Sequence, residues 1–219
     1  MRKINKKTEP ASLKTHRASQ FSNYDNYQDK QTLREYLCDE QRGICCYCMG
    51  TILSDEAHMK IEHFKCQDNY PQHQLDYWNL MGACPGGKGQ PPEKQHCDTS
   101  KANKKLSYNP SSKLFLIENS IWYKKDGLMG SSNHVLDKEI NEILHLNIDS
   151  LKNKRKGALN GFMDFLRIKY KSQLKKSTLE KWLHEWNGES NNGRLSPYCQ
   201  IVVFYIQLKL KINKANVPK

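Results

Sequence analysis

The chain has 219 residues, of which 37% are hydrophobic and 10% aromatic, enough for one or two compact domains and too many for global disorder. No apolar run approaches the roughly 18 residues of a membrane span, and the best candidate, Ile201 to Ile206, meets Gln207, Lys209 and Lys211 at once. The basic start, MRKINKKTEP, has no apolar stretch behind it, so no secretory signal is read and a soluble, cytoplasmic protein is expected.

The net charge of +12 is unevenly placed. Residues 1–20 carry +5, residues 21–150 carry −4, and residues 151–219 carry +11. A basic tail of that size attracts phosphates by counterion release and long-range steering, although a solvated helical surface has the same composition.

In chain order, residues 1–28 show no sustained period and read as an extended arm containing Pro10. From Asp29 to Arg42 a helix is expected, with Leu33, Tyr36 and Leu37 on one face and Gly43 as its stop. Residues 44–110 are dense in Cys, His, Gly and Pro, as in a small module stapled by metal. Lys113 to Ile117 and Ser120 to Tyr123 read as short strands, followed by a turn at Asp126-Gly127. Beyond about Ser131 the pattern is helical. Leu136, Ile140, Ile143 and Leu144 form one stripe, and Leu151, Ala158, Leu159, Phe162, Leu166 and Tyr170 form another. Ser177 with Glu180 suggests a capping box for a third helix carrying Leu179, Trp182, Leu183 and Trp186. Ser196-Pro197 suits the start of a last helix running to about Lys211. The expected class is α+β: an arm over 1–28, a zinc-containing module over 29–130, and a basic, all-helical half over 131–219.

Eight cysteines are present, six of them between positions 45 and 97. Without a secretory signal, that clustering favours metal over disulfides. Cys45-Cys46-Tyr47-Cys48 contains a C-x-x-C, whose tight turn can present two thiolates to zinc. Cys84 and Cys97 are the candidates to close the tetrahedron, across a Gly/Pro-rich insertion wider than the usual second pair. Between the pairs lie Glu62-His63, which could set a metal ligand beside a general base, then Asn79. His96-Cys97-Asp98 and Lys101 follow.

Read in order, these residues give C-x-x-C, Glu-His, Asn, Cys and Cys-Asp-x-x-Lys. That order resembles the HNH (ββα-metal) endonucleases, and among them the PtuB family of Septu-type and retron-associated anti-phage systems. The likeness takes in MRKI with Pro10 nearby, Leu37, Glu40-Gln41-x-Gly43-x-Cys45-x-Tyr47-Cys48, Glu62-His63 and His96-Cys97-Asp98-x-x-Lys101, about half of the chain. It implies a nuclease in which His63 is the general base and Asn79 accepts a hydrogen bond from it. Glu62 and Asp98 would bind Mg²⁺ or Mn²⁺, with His96 as the alternative to Asp98. Lys101 would contact substrate phosphate or cap the local charge, and Cys45, Cys48, Cys84 and Cys97 would hold a structural zinc.

The resemblance also implies partners: an ABC-type ATPase, PtuA, and in retrons a reverse transcriptase with its RNA–DNA product. The substrate would be DNA or structured RNA such as tRNA, because attack by water needs no 2′-hydroxyl. Trp182, Trp186, Phe204 and Tyr205 are either the core of the helical half or a face that docks on the ATPase. The contrasting reading is a zinc-stapled nucleic-acid-binding or adaptor module without catalysis.

Overall fold

The computed structural model describes residues 1–170, 174–189 and 193–212; residues 171–173, 190–192 and 213–219 of the expected helical half lie outside the described residues. The N-terminal 28 residues are not simply extended. Ala11–Arg17 form helix α1 directly after Pro10, and Met1, Ile4 and Leu13 are buried in the main core. Three apolar residues so widely spaced carry no readable period, yet each fills a separate gap. The segment is tied down by the Ile4 amide on the Pro110 carbonyl at 2.9 Å and by the Lys3 amide on the Glu118 carboxylate at 3.0 Å.

Helix α2, Lys30–Glu40, forms as its pattern predicts. The Asp29 side chain accepts from the Thr32 amide at its start, and Leu33 and Leu37 are buried. Gly43, at φ +76°, donates its amide to the Cys38 carbonyl and turns the chain into the cysteine-bearing loop. Strands β1, Lys60–His63, and β2, Leu80–Ala83, then pair antiparallel with Lys60 opposite Ala83 and His63 opposite Leu80. Their connection contains two 3₁₀ turns, Pro71–His73 and Tyr77–Asn79. The short helix α3, Cys97–Lys101, follows.

The strand expected over Lys113 to Ile117 is absent; a 3₁₀ turn occupies Ile117–Ser120. Strand β3, Ile121–Tyr123, does form, and pairs with β4, Met129–Ser131, across a turn in which Gly127 sits at φ +90°. Residue 130, the expected division of the chain, therefore lies within a strand.

Helix α4, His134–Lys138, runs into a π turn over Glu139–Ile143, and together they bury Leu136 and Ile140. Helix α5, Asp149–Lys169, buries Leu151, Leu159, Phe162 and Leu166 as its period requires. It also buries Arg155, whose guanidinium donates to the carbonyls of Gly127 and Leu146 at 2.6 and 2.8 Å and to Asn147 Oδ1 at 2.9 Å. That cation of the basic tail is structural. Helix α6, Lys176–Asn187, begins before Ser177, which sits inside its first turn and caps nothing. Helix α7, Cys199–Leu210, starts after a left-handed Tyr198, and Ser196 contributes only its carbonyl, to the Cys199 amide.

The aromatic residues of the helical half pack inward. Trp182 stands edge-on to Phe165, Trp186 to Phe162, and Phe204 to Tyr123. Phe204 is buried, and Trp182, Trp186 and Tyr205 pack against the main core, so these rings are used within the fold. The core continues from the zinc-type module into the helices. Cys97 donates its amide to Leu144, Leu195 to Arg42, and Tyr198 to Met49, each at 2.9 Å. Among the described residues no helix is long and apolar enough to cross a membrane.

Candidate active site and metal centre

Four thiols converge. Cys45 and Cys48 lie in a loop closed by the Cys45 amide on the Gly50 carbonyl, and the Gly50 amide points back at Cys48 Sγ at 3.3 Å. Cys84 follows β2 directly and Cys97 opens α3. The wide interval between them closes at its neck. His96 donates its amide to the Gly86 carbonyl at 2.9 Å, Thr99 Oγ1 donates to Pro85, and Gly86 takes φ +60° where a Cβ would strike the His96 carbonyl.

The sulfurs of Cys45, Cys48, Cys84 and Cys97 all lie within 4.8 Å of one another. Cys45 to Cys97 is 3.9 Å, Cys48 to Cys84 is 3.7 Å, and Cys84 to Cys97 is 3.8 Å. A tetrahedron with zinc–sulfur bonds of about 2.3 Å has edges of about 3.8 Å, so the thiols fit zinc, and they are far too separated for disulfides. All eight cysteines are free and buried. Burial opposes ionisation of Cys45, but hydrogen bonds from neighbouring thiols hold it well below the usual thiol range, which leaves one thiolate ready for a cation.

A second cluster is built from Asp98 and Lys101 of α3 with Glu62 of β1. Glu62 is 2% exposed, and its Oε1 accepts from the Tyr47 hydroxyl and from Lys101 Nζ, each at 2.7 Å. Asp98 faces Glu62 closely enough to hydrogen-bond with it and pairs with Lys60. Burial, then the bond and charge of Asp98, push the Glu62 carboxyl well above the carboxylate range. For Asp98 burial pulls the same way, but the bonds from Glu62 and Lys60 outweigh it and hold the group low. The two carboxyls thus share a proton unevenly, with Asp98 the anion.

His63 ends β1 and is 7% exposed. Its Nε2 lies 3.0 Å from the Gln74 carbonyl, and Tyr24 stands edge-on to the ring at 4.5 Å. A carbonyl only accepts, so Nε2 carries the proton and the neutral ring keeps its lone pair on Nδ1. Burial lowers the imidazole pKa to about 4, so the ring is neutral near pH 7 and can accept a proton.

One expectation changes, and two open ones are narrowed. Asn79 does not hold the His63 ring. Its Oδ1 accepts from the Lys65 amide at 2.7 Å, and its Nδ2 donates to the Lys65 and His73 carbonyls at 3.0 and 3.1 Å. It pins the loop that carries Gln74, and the Gln74 carbonyl orients the ring. Lys101 does not reach for phosphate. It is 1% exposed, with Nζ on Glu62 and on the His63 carbonyl at 2.9 Å, so it balances buried charge. His96 turns away from the carboxylates, its Nδ1 lying 3.1 Å from Cys97 Sγ, which leaves Asp98 as the residue beside Glu62.

Tyr47, Lys60 and the Gln74 carbonyl went unread in the sequence. Lys60 could have been found, because residues two apart on a strand share a face with Glu62 between the same neighbours. Tyr47 sits within the C-x-x-C, and a backbone carbonyl has no sequence signature.

No known family profile matches the chain. It is similar to a protein described as the HNH endonuclease of retron Ec83 from Escherichia coli, 26% identical over 120 residues, covering 47% of this chain and 46% of that protein. The chain thus spans about half the length of this curated relative. Such a likeness suggests a nuclease and a retron context.

Proposed function

We propose that the chain is a metal-dependent HNH endonuclease of the PtuB type, hydrolysing phosphodiester bonds in DNA or structured RNA, tRNA included, as the effector of a Septu or retron anti-phage system. What supports this reading is the facing pair of carboxyls, Glu62 and Asp98, with the neutral, carbonyl-oriented His63 next to Glu62 in the chain and four converging thiols nearby. A purely structural zinc module has no need of two facing carboxyls followed in the chain by a neutral, carbonyl-oriented histidine.

His63 acts as general base: with Nε2–H given to Gln74, Nδ1 takes a proton from the attacking water. Glu62 and Asp98 fit a hard divalent cation, Mg²⁺ or Mn²⁺, because they offer only oxygen donors from two facing elements. Bound there, the cation would relieve charge on the scissile phosphate and the departing oxygen. Tyr47 and Lys101 both hold Oε1 of Glu62, and a cation bound between the carboxyls would displace the proton that Glu62 shares with Asp98. The four cysteines would hold zinc as a structural cross-link with every position filled by protein. The partners are an ABC-type ATPase, PtuA, and in a retron setting the reverse transcriptase with its RNA–DNA product.

One observation favours the non-catalytic reading. Lys60 and Lys101 already balance the two carboxyls without a metal. The two readings separate on incubation of the full chain, with and without the ATPase, with DNA and tRNA. Cleavage should require Mg²⁺ or Mn²⁺, and His63→Ala should lower its rate by about 10²–10⁴ with zinc content and circular dichroism unchanged. Near-normal cleavage by His63→Ala, or no cleavage of either substrate with the ATPase present, would overturn the nuclease reading.

A further inference from the structure

Beside the loop that orients His63 is a groove of about 490 Å³ that the proposed chemistry does not use. Phe64, the residue after His63, and Trp78, the residue before Asn79, supply its aromatic walls; Lys65, Lys113, Asn109 and Ser111 are among its polar residues. Trp78 is 43% exposed, unusual for so large a side chain in a loop whose backbone is this firmly held. Its amide donates to Asp76 Oδ1 at 3.0 Å, its carbonyl accepts from the buried Ser111 hydroxyl at 3.3 Å, and the adjoining Asn79 carbonyl accepts from the Phe64 amide at 2.9 Å. The ring is therefore presented on a rigid support while its surface stays in water.

The charges around it are mainly positive. Lys113 Nζ lies 4.8 Å from the Trp78 ring centroid, and Lys65 Nζ lies against His73 Nε2 at 2.9 Å. Neither ammonium has a carboxylate partner among the described residues; Asp76, the carboxylate on the wall, caps the Tyr77–Asn79 turn and lies 3.7 Å from His73 Nδ1. A half-exposed aromatic ring with one ammonium against its face and a second nearby, neither held by a carboxylate, among neutral amide and hydroxyl groups, suits a planar base attached to a phosphate. An intact duplex offers no free base face to such a ring, because every base is already stacked.

Resting on the nuclease reading, we infer that Trp78, with Phe64 and Lys113, is a stacking platform for an unpaired nucleotide, so that the substrate is cut at or next to a single-stranded or looped-out segment. The groove starts at the residue after the general base, so a base seated there sets the register of the backbone across the site. Trp78 acts as a specificity residue through this placement.

The test is binding by the full-length protein, with no divalent cation added, to a short fluorescent single strand and to the blunt duplex of the same sequence. The parent chain should prefer the single strand. Trp78→Ala should weaken single-strand binding by about 5- to 100-fold, the loss of one stacked base, and leave duplex binding within about twofold. Trp78→Phe should retain most of the affinity. Single-strand binding by Trp78→Ala equal to the parent's, as expected if this ring instead docks a protein, would overturn the inference, as would an equal loss on the duplex. Because binding is read without cleavage, a chain that shows this loss yet cuts nothing with Mg²⁺ and ATPase present sinks the nuclease reading alone.

Discussion

Cys97 and Asp98 are neighbours on α3, yet one side chain enters a ring of four sulfurs and the other meets Glu62 and Lys60. The same division occurs in the opposite loop, where Cys45 and Cys48 face the sulfurs while Tyr47, between them, holds Glu62. Two clusters thus share one backbone and balance their charge differently. The carboxyls have lysines built in, so their charge is met by the protein alone. The thiols lie against one another, the Gly50 amide and the His96 ring, with no lysine or arginine ion pair among them. Only a metal can draw all four into their ionised form. The soft cluster should govern whether the chain folds, and the hard cluster what it does once folded.

The largest break in that comparison should come from Cys48→Ser. Structural zinc contributes about 10–16 kcal/mol of apparent binding energy to small domains that depend on it. The variant should lose about one equivalent of zinc by elemental analysis together with its cooperative thermal transition. Retention of a parent-like melt without zinc would show that the thiols are ordinary core residues.

Lys101→Met should be next. It leaves Glu62 buried without its ammonium, a change that costs about 3–5 kcal/mol when a buried charge is stranded. Glu62 already sits well above the usual carboxylate range, so it can keep a proton instead and the loss should fall near the low end. Denaturant titration reads this directly, and zinc content should not change. Asn79→Ala removes three hydrogen bonds from the loop beneath His63 and should cost about 1–3 kcal/mol. Cleavage should fall further than stability, since the Gln74 carbonyl loses its support. The smallest effect, about 1 kcal/mol or less, is expected for Cys66→Ser, whose thiol makes one long contact to the Asn103 carbonyl at 3.6 Å.

Features that depend on local pattern were legible in the sequence. Asp29 and Gly43 bracket α2, a 3.6-residue stripe marks α5, the helix expected after Ser196-Pro197 is α7, and the C-x-x-C with two later cysteines identifies all four converging thiols. Features set by distant contacts were not. The buried N-terminal segment depends on Pro110, Glu118 and Glu40, far along the chain. Strand β4 is three residues, one of them glycine at a position where a Cβ would strike Trp122, and it has no strand composition. Ser177 carried a plausible cap signal, but the helix began upstream of it. Within the site, residue types were readable and directions were not: nothing in the order of residues says that Asn79 grips backbone or that Lys101 turns inward.

The Cys84–Cys97 interval has a practical use. Its neck is held by the Gly86 carbonyl and Thr99, while at Gly89, φ +82°, an added Cβ would meet nothing within 4 Å. Lengthening a loop whose ends are already fixed costs little, about 0.6 kcal/mol for each doubling. A short epitope or dye-acceptor peptide spliced after Gly89 would ride on the surface without disturbing the sulfur ring, giving an internal handle for following this protein.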